Sequence, residues 1–164
     1  MSQVSHTVEA VRRCRSHRYR LTPTVRQQAA LLALQCELYN AALEERRGAW
    51  RWERRSVSYF DQCRTLTSLR AVRPEVLASG VKVCRGTLRR LDPAFAGFFR
   101  RCRAGQQPGY PRFRSRSRWD SLQWEDRNGW RLDATTRRLH LGLGAFKVCL
   151  HRPRSGERRH RAAR

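Results

Sequence analysis

The stretch Val81–Arg118, VKVCRGTLRRLDPAFAGFFRRCRAGQQPGYPRFRSRSR, constrains this chain more than any other. It sets a helical apolar stripe, a Pro/Gly turn and a basic aromatic ribbon in immediate succession. Val81, Cys84, Leu88, Leu91, Phe95, Phe98 and Cys102 follow at alternating steps of three and four, so a helix gathers them on one face. The opposite face is arginine: Arg85, Arg89, Arg90, Arg100, Arg101 and Arg103. Pro93 lacks a donor and clashes with the turn before it, which predicts a kink, or a second helix capped by Asp92. Ala104-Gly105 ends the run.

The ribbon follows as Gly109-Tyr110-Pro111-Arg112-Phe113-Arg114-Ser115-Arg116-Ser117-Arg118. Arginine at every second position from Arg112 to Arg118 puts all four guanidinium groups on one side of an extended strand. Phosphates repeat at a comparable pitch along a nucleic-acid backbone, so the ribbon is the leading candidate for tracking one. A solvated basic loop is the competing reading, and it leaves the aromatics and prolines without a purpose.

Charge points the same way. Thirty-six basic residues against thirteen acidic give a net charge of +23, and only Lys82 and Lys147 of the basic residues are lysine. Arginine stays charged, forks onto phosphate and stacks on bases, so this balance suits a polyanionic partner. Genomic base composition competes as an explanation of arginine over lysine, but it does not explain the net charge. The six cysteines stand singly, without a C-x-x-C pair, and Cys36, Cys84 and Cys102 fall on apolar helical faces. Buried thiols in a reducing cytosol are expected, not disulfides or zinc ligands. With neither a signal peptide nor a long apolar run, a soluble, cytoplasmic, nucleoid-associated protein is expected.

Taken in order, residues 1–21 read as a tail and a first strand, and residues 22–105 as a helical set. Thr24 and Gln27 make a capping box for a helix whose stripe is Val25, Ala29, Leu32, Cys36, Tyr39 and Leu43. Leu31, Leu34 and Leu38 widen the stripe, which calls for at least two packing neighbours. Asn40 has two readings: a buried hydrogen bond that locks this helix to the adjoining strands, or a solvent-facing amide. Trp50 and Trp52 beside Arg51 can stack on bases, but tryptophans at a helix end more commonly plug a core, and that is the expectation here. Ser56 or Ser58 caps a second helix through Tyr59, Cys63, Leu66 and Leu69, ended by Arg73-Pro74. A short element with Val76 and Leu77 then reaches Ser79-Gly80.

Residues 106–153 combine the ribbon with strands, and residues 154–164 form a basic tail with no apolar side chain larger than alanine. Leu122 and Trp124 share one strand face, Asn128-Gly129 makes a hairpin turn, and Trp130 and Leu132 begin the return strand. Leu139, Leu141 and Leu143 alternate with polar residues, as do Phe146, Val148 and Leu150 after Gly144. The fold class expected is α+β: a helical bundle inserted into a small, incomplete antiparallel β-barrel closed by the strand near Tyr19.

Several blocks carry a resemblance. T-L-R-R-L-D-x-A-F-x-x-F-F-R-R followed by G-Y-P-R-F-R, with L-Y-N-A-A-L-E-E-R-R at Leu38–Arg47 and K-V-C-L-H-R-P at Lys147–Pro153, resembles the N-terminal region of OrfB/TnpB-type insertion-sequence transposases. The resemblance implies that the helices form a helix-turn-helix-like recognition lobe and the strands a wedge-like domain. It also implies an RNA-guided DNA nuclease as the whole protein, with guide RNA and target DNA as partners. By it, Tyr59, Lys82 and Arg85, exposed at opening turns, lie near target DNA, although each taken alone reads as part of a solvated helix face. Arg89, Arg100, Arg101, Arg103, Tyr110, Arg112, Arg114, Arg116 and Arg118 complete the expected nucleic-acid-binding set.

The family's catalysis needs three carboxylates around two metal ions, with a four-cysteine zinc module nearby. Asp120, Glu125, Asp126 and Asp133 form the one acidic cluster and flank a hairpin, so neither a metal site nor a catalytic residue is assigned. The five histidines stand in no nucleophile motif, and Gly142-x-Gly144 lacks the rest of a phosphate-binding fingerprint. Divalent metal and zinc are expected only in a C-terminal part of the family that this chain does not carry. A truncated or frameshifted transposase inactive as a nuclease alone is therefore expected, with an autonomous basic nucleic-acid-binding regulator and a non-functional relic as alternatives.

Overall fold

A computed structural model describes residues 20–22, 24–124, 129–141 and 144–150, with the backbone alone for 25–29. The readings made on the N-terminal tail, on Gln27 as a capping partner, on Glu125–Asn128, on Leu143 and on everything from His151 onward lie outside the described residues.

Helix α1, Val25–Glu53, is the longest element. Its wide stripe buries Cys36, Leu38, Tyr39, Ala42 and Leu43, because a face that broad meets several partners at once. Those partners include α3, Pro74–Ser79, and α4, Val81–Arg89. Helix α2, Tyr59–Val72, starts on the reciprocal capping box expected of a serine cap: Asp61 N–H donates to Ser58 Oγ and Ser58 N–H to the Asp61 carboxylate. Arg73 ends α2 and Pro74 opens α3, where a missing N–H costs nothing. Gly80, with φ +87°, turns the chain from α3 into α4.

The organising stripe holds for its first half. Cys84, Leu88 and Leu91 are buried in the main core with Val76, Val83, Leu66 and Trp119. Pro93 does mark a second helix, α5, Leu91–Arg103, after a single turn residue at Arg90. Asp92 is not its cap. It lies in the first turn, and its carboxylate instead takes hydrogen bonds from Arg46 at 3.0 Å and Arg89 at 3.4 Å. Beyond Phe95, which is half-buried against the core, the stripe leaves it: Phe98 is half-buried, and Cys102, expected to be buried, is exposed. Among the described residues the ribbon's Tyr110 is what meets the middle of α5, against Phe95 and Phe98.

Two polar groups of the core are invisible to the apolar pattern. Gln35 is fully buried and accepts from Thr87 Oγ1 at 2.7 Å. Gln62 donates to the Ala42 carbonyl at 2.8 Å and to Glu45 at 2.9 Å, while accepting from Arg46 Nε at 2.9 Å. Satisfied in this way, each glutamine fixes one helix on another without the penalty of an orphaned buried amide.

Strands β1, Arg20–Thr22, β2, Trp130–Asp133, β3, Arg138–Leu141, and β4, Gly144–Cys149, form an open antiparallel sheet in the order β1-β4-β3-β2. The sheet confirms the alternation read for β3 and β4, and pairs Leu139 with Phe146 and Leu21 with Val148 on one apolar face. Leu122 and Trp124, expected to share a strand face, belong to no strand and pack instead against the helical core. The partner of β2 is β3, through a turn at 134–137 in which Asp133 accepts from the N–H groups of Thr135 and Thr136.

Candidate nucleic-acid interface

The basic ribbon is docked, and both its ends are aromatic. Tyr110 packs edge-on against Phe95 and Phe98 of α5, with ring centroids 5.5 and 5.1 Å away. The Arg47 guanidinium of α1 lies 5.6 Å from the Tyr110 ring and 5.0 Å from that of Phe113. Burial pushes the Tyr110 hydroxyl above its ordinary pKa, against the pull of Arg47 and Arg46. At the other end Trp119 is buried, 5.3 Å from Tyr39, with Arg90 stacked 4.7 Å from its ring.

Between these anchors α1 holds the backbone. Asn40 donates from Nδ2 to the Arg114 carbonyl and accepts from the Arg114 N–H, both at 2.8 Å. The Cys36 thiol donates to the same carbonyl at 3.2 Å, and burial raises its pKa against the pull of Arg116. Asn40 therefore does form a locking bond, but to the ribbon and not to a strand. With the backbone fixed, the side chains of Arg112, Arg114, Arg116 and Arg118 are exposed.

One expectation about them is corrected. Arg116–Arg118 form a 3-10 turn, so the ribbon is not a continuous extended strand and the period of two fails at its end. Residues two apart on such a turn point roughly 120° away from each other, so all four guanidinium groups do not share one side. The groove between ribbon and α1 is also of mixed charge, lined by Glu37 and Glu44 as well as Arg114 and Arg116.

The other expected residues divide. Arg100, Arg101 and Arg103 are exposed in the last turn of α5, directly before the ribbon, where cations also complement the helix dipole. Arg89 is half-buried, its guanidinium 3.9 Å from the Tyr59 ring and 3.4 Å from Asp92. Tyr59, expected to be exposed, is 8% accessible and belongs to the core, because the first turn of α2 faces α4 and not solvent. Lys82 and Arg85 are half-buried rather than exposed, and the Lys82 stem lies against Gly129. Arg90, read as part of the outer face, turns inward and donates to the Ser121 carbonyl at 2.9 Å.

Three features escape the sequence pattern or depart from it. Trp50 and Trp52 do not plug a core; they are 53% and 77% exposed, since α1 runs past its neighbours before ending at Glu53. Arg47 gives no signal of its role, because a lone arginine on a charged helix end carries no pattern. The polar face of the sheet carries exposed Arg20, Arg131, Arg138 and Lys147, which strict alternation around Leu132, Leu139, Phe146 and Val148 could have located.

Among the described residues no three Cys, His, Asp or Glu side chains converge on one point. The Asp133 carboxylate is held below its usual range by hydrogen bonds from Thr136 and Thr135, as a turn residue is. None of the described helices is long and apolar enough to cross a membrane.

Over 109 residues the chain is 36% identical to a protein of Streptomyces pristinaespiralis named "Putative RNA-guided DNA endonuclease", a match covering 63% of this chain. The chain corresponds to only about a quarter of that relative, 26% of its length. No protein-family profile matches the chain.

Proposed function

We propose that this chain is a nucleic-acid-binding region of a TnpB-type RNA-guided nuclease, holding structured guide RNA through shape and backbone while its helices approach target DNA. The observation that carries this reading is the docked ribbon. Two aromatic anchors and the Asn40 amide spend their contacts on fixing backbone, and leave arginines exposed on a chain of net charge +23. A solvated loop needs no such anchoring. The similarity to the Streptomyces protein supports the same class of partner. No cleavage step is assigned to these residues.

The test is binding of the purified chain to RNA transcribed from the DNA flanking its own gene, against a scrambled RNA of equal length, across a salt series. A preference for the flanking RNA that persists at moderate salt is expected, because shape readout adds to counterion release. Equal binding that disappears with salt would reject guide recognition and leave a generic polycation.

A further inference from the structure

The C-terminal end of α1 presents an aromatic surface that the ribbon does not use. Trp50 and Trp52 each keep more than half of their surface open, at 53% and 77%. Each is paired with a cation: the Arg51 guanidinium lies 4.9 Å from the Trp52 ring and that of Arg54 lies 5.9 Å from Trp50. From Arg47 to Arg55 the sequence has four arginines and one acid, Glu53, which Arg55 neutralises at 2.8 Å. Apolar rings set among unopposed cations suit a ligand that is itself flat and apolar in one part and anionic in the next.

The backbone at this corner is unusual in the same direction. Arg54 has φ +51°, the left-handed conformation in which helices commonly end on glycine. Arg55 N–H reaches back to the Ala49 carbonyl at 3.1 Å and closes the turn. A side chain at this position is disfavoured unless it does something, and here it carries the guanidinium that stands by Trp50.

We infer that Trp50, Trp52, Arg51 and Arg54 form a stacking platform for unpaired bases of a single-stranded nucleic acid, with the arginines meeting its phosphates. Every base has a π-face, so such a platform accepts any sequence, but it needs the bases unstacked and therefore rejects a closed duplex. The inference rests on the nucleic-acid-binding reading and adds to it which strands are held and where. A protein partner would also cover exposed tryptophans, but the cations favour a polyanion.

The experiment titrates the full chain with a short oligothymidylate and with a hairpin duplex of equal charge, at one low salt concentration. Trp50→Ala with Trp52→Ala should weaken oligothymidylate binding by about tenfold or more, since each stacked base contributes at least about fivefold, and leave duplex binding within about twofold. Phenylalanine at both positions should restore most of the loss. Arg54→Gly separates binding from folding: it relaxes the left-handed turn, so the unfolding temperature should hold or rise while oligothymidylate binding falls. Equal losses on both probes, or no loss on either, would overturn the platform and leave the ribbon reading intact. A wild-type chain that binds neither probe would overturn both.

Discussion

Asn40 and Arg114, 74 residues apart, exchange two hydrogen bonds of 2.8 Å, the amide of one serving both backbone groups of the other. A side-chain amide that donates and accepts in this way imitates a strand partner and gives an irregular segment a fixed position. Asn40→Ala should therefore release the ribbon without unfolding the helices, at a cost of about 1–3 kcal/mol for the two bonds. The check is limited digestion with trypsin. Cleavage after Arg112, Arg114 and Arg116 should accelerate severalfold in the variant while helical circular dichroism stays unchanged. Asn40→Asp, which still accepts from the N–H but repels the carbonyl, should fall between the two.

At Gly86 a loop runs directly against a helix. A Cβ placed there would sit 2.1 Å from the Gln123 carbonyl oxygen, so the segment 121–124 crosses α4 where only a glycine admits it. Gly86→Ala raises helix propensity yet should destabilise the protein, because the obstacle is backbone and cannot swing aside. Overpacking of this kind costs about 1–3 kcal/mol. Thermal unfolding should show a lowered midpoint, with altered Trp119 fluorescence as Arg90 and Ser121 are displaced. An unchanged midpoint would mean that the loop does not sit on α4 in solution.

These two contacts also mark how far the sequence can be read. Helix and strand periods locate the core faces of α1, α4, β3 and β4, since Leu88, Leu91, Phe146 and Val148 announce themselves by spacing alone. The serine cap of α2 is legible to within two residues, since Ser56 and Ser58 both qualify as caps and the structure uses Ser58, with Asp61 as its reciprocal partner. Contacts between segments distant in sequence are not legible. Nothing local says that Asn40 meets Arg114, that Gly86 faces Gln123, or that Gln62 stands between Ala42 and Arg46. The exposed tryptophans defeat expectation for a related reason. Burial of Trp50 depends on whether a neighbouring helix reaches that far, and helix length sets that only once all the helices are packed.

At the start of α2 the Asp61 carboxyl is held down from 3.8 to about 2, chiefly by hydrogen bonds from the Ser58 side chain and backbone and then by Arg64. A carboxyl with a depressed folded-state pKa stabilises the fold above its unfolded value and loses that contribution as pH falls through the folded one. The contribution of this cap should thus be complete above about pH 4 and gone below about pH 2. A titration of the Asp61 carboxyl carbon by NMR gives the pKa directly. In parallel, Asp61→Asn should be less stable than the parent at neutral pH, with the gap narrowing through that window. A gap constant down to pH 2 would show that the charge is not what matters.

The ribbon arginines can be tested against their own geometry. Each phosphate that a guanidinium ceases to neutralise should flatten the dependence of log affinity on log salt by about 0.7 on a single strand and 0.9 on duplex DNA. Replacing Arg112 and Arg114 with glutamine leaves Asn40 bonded to the backbone and, with both residues in the segment before the turn, should remove up to about two such increments. Replacing Arg116 and Arg118 should remove nearer one, because the 3-10 turn sends these two side chains in different directions and only one can follow a given backbone. A strand with all four on one side demands equal decreases from the two pairs. Unequal slopes would therefore establish the turn in the bound state, and equal ones would show that nucleic acid straightens the ribbon on binding.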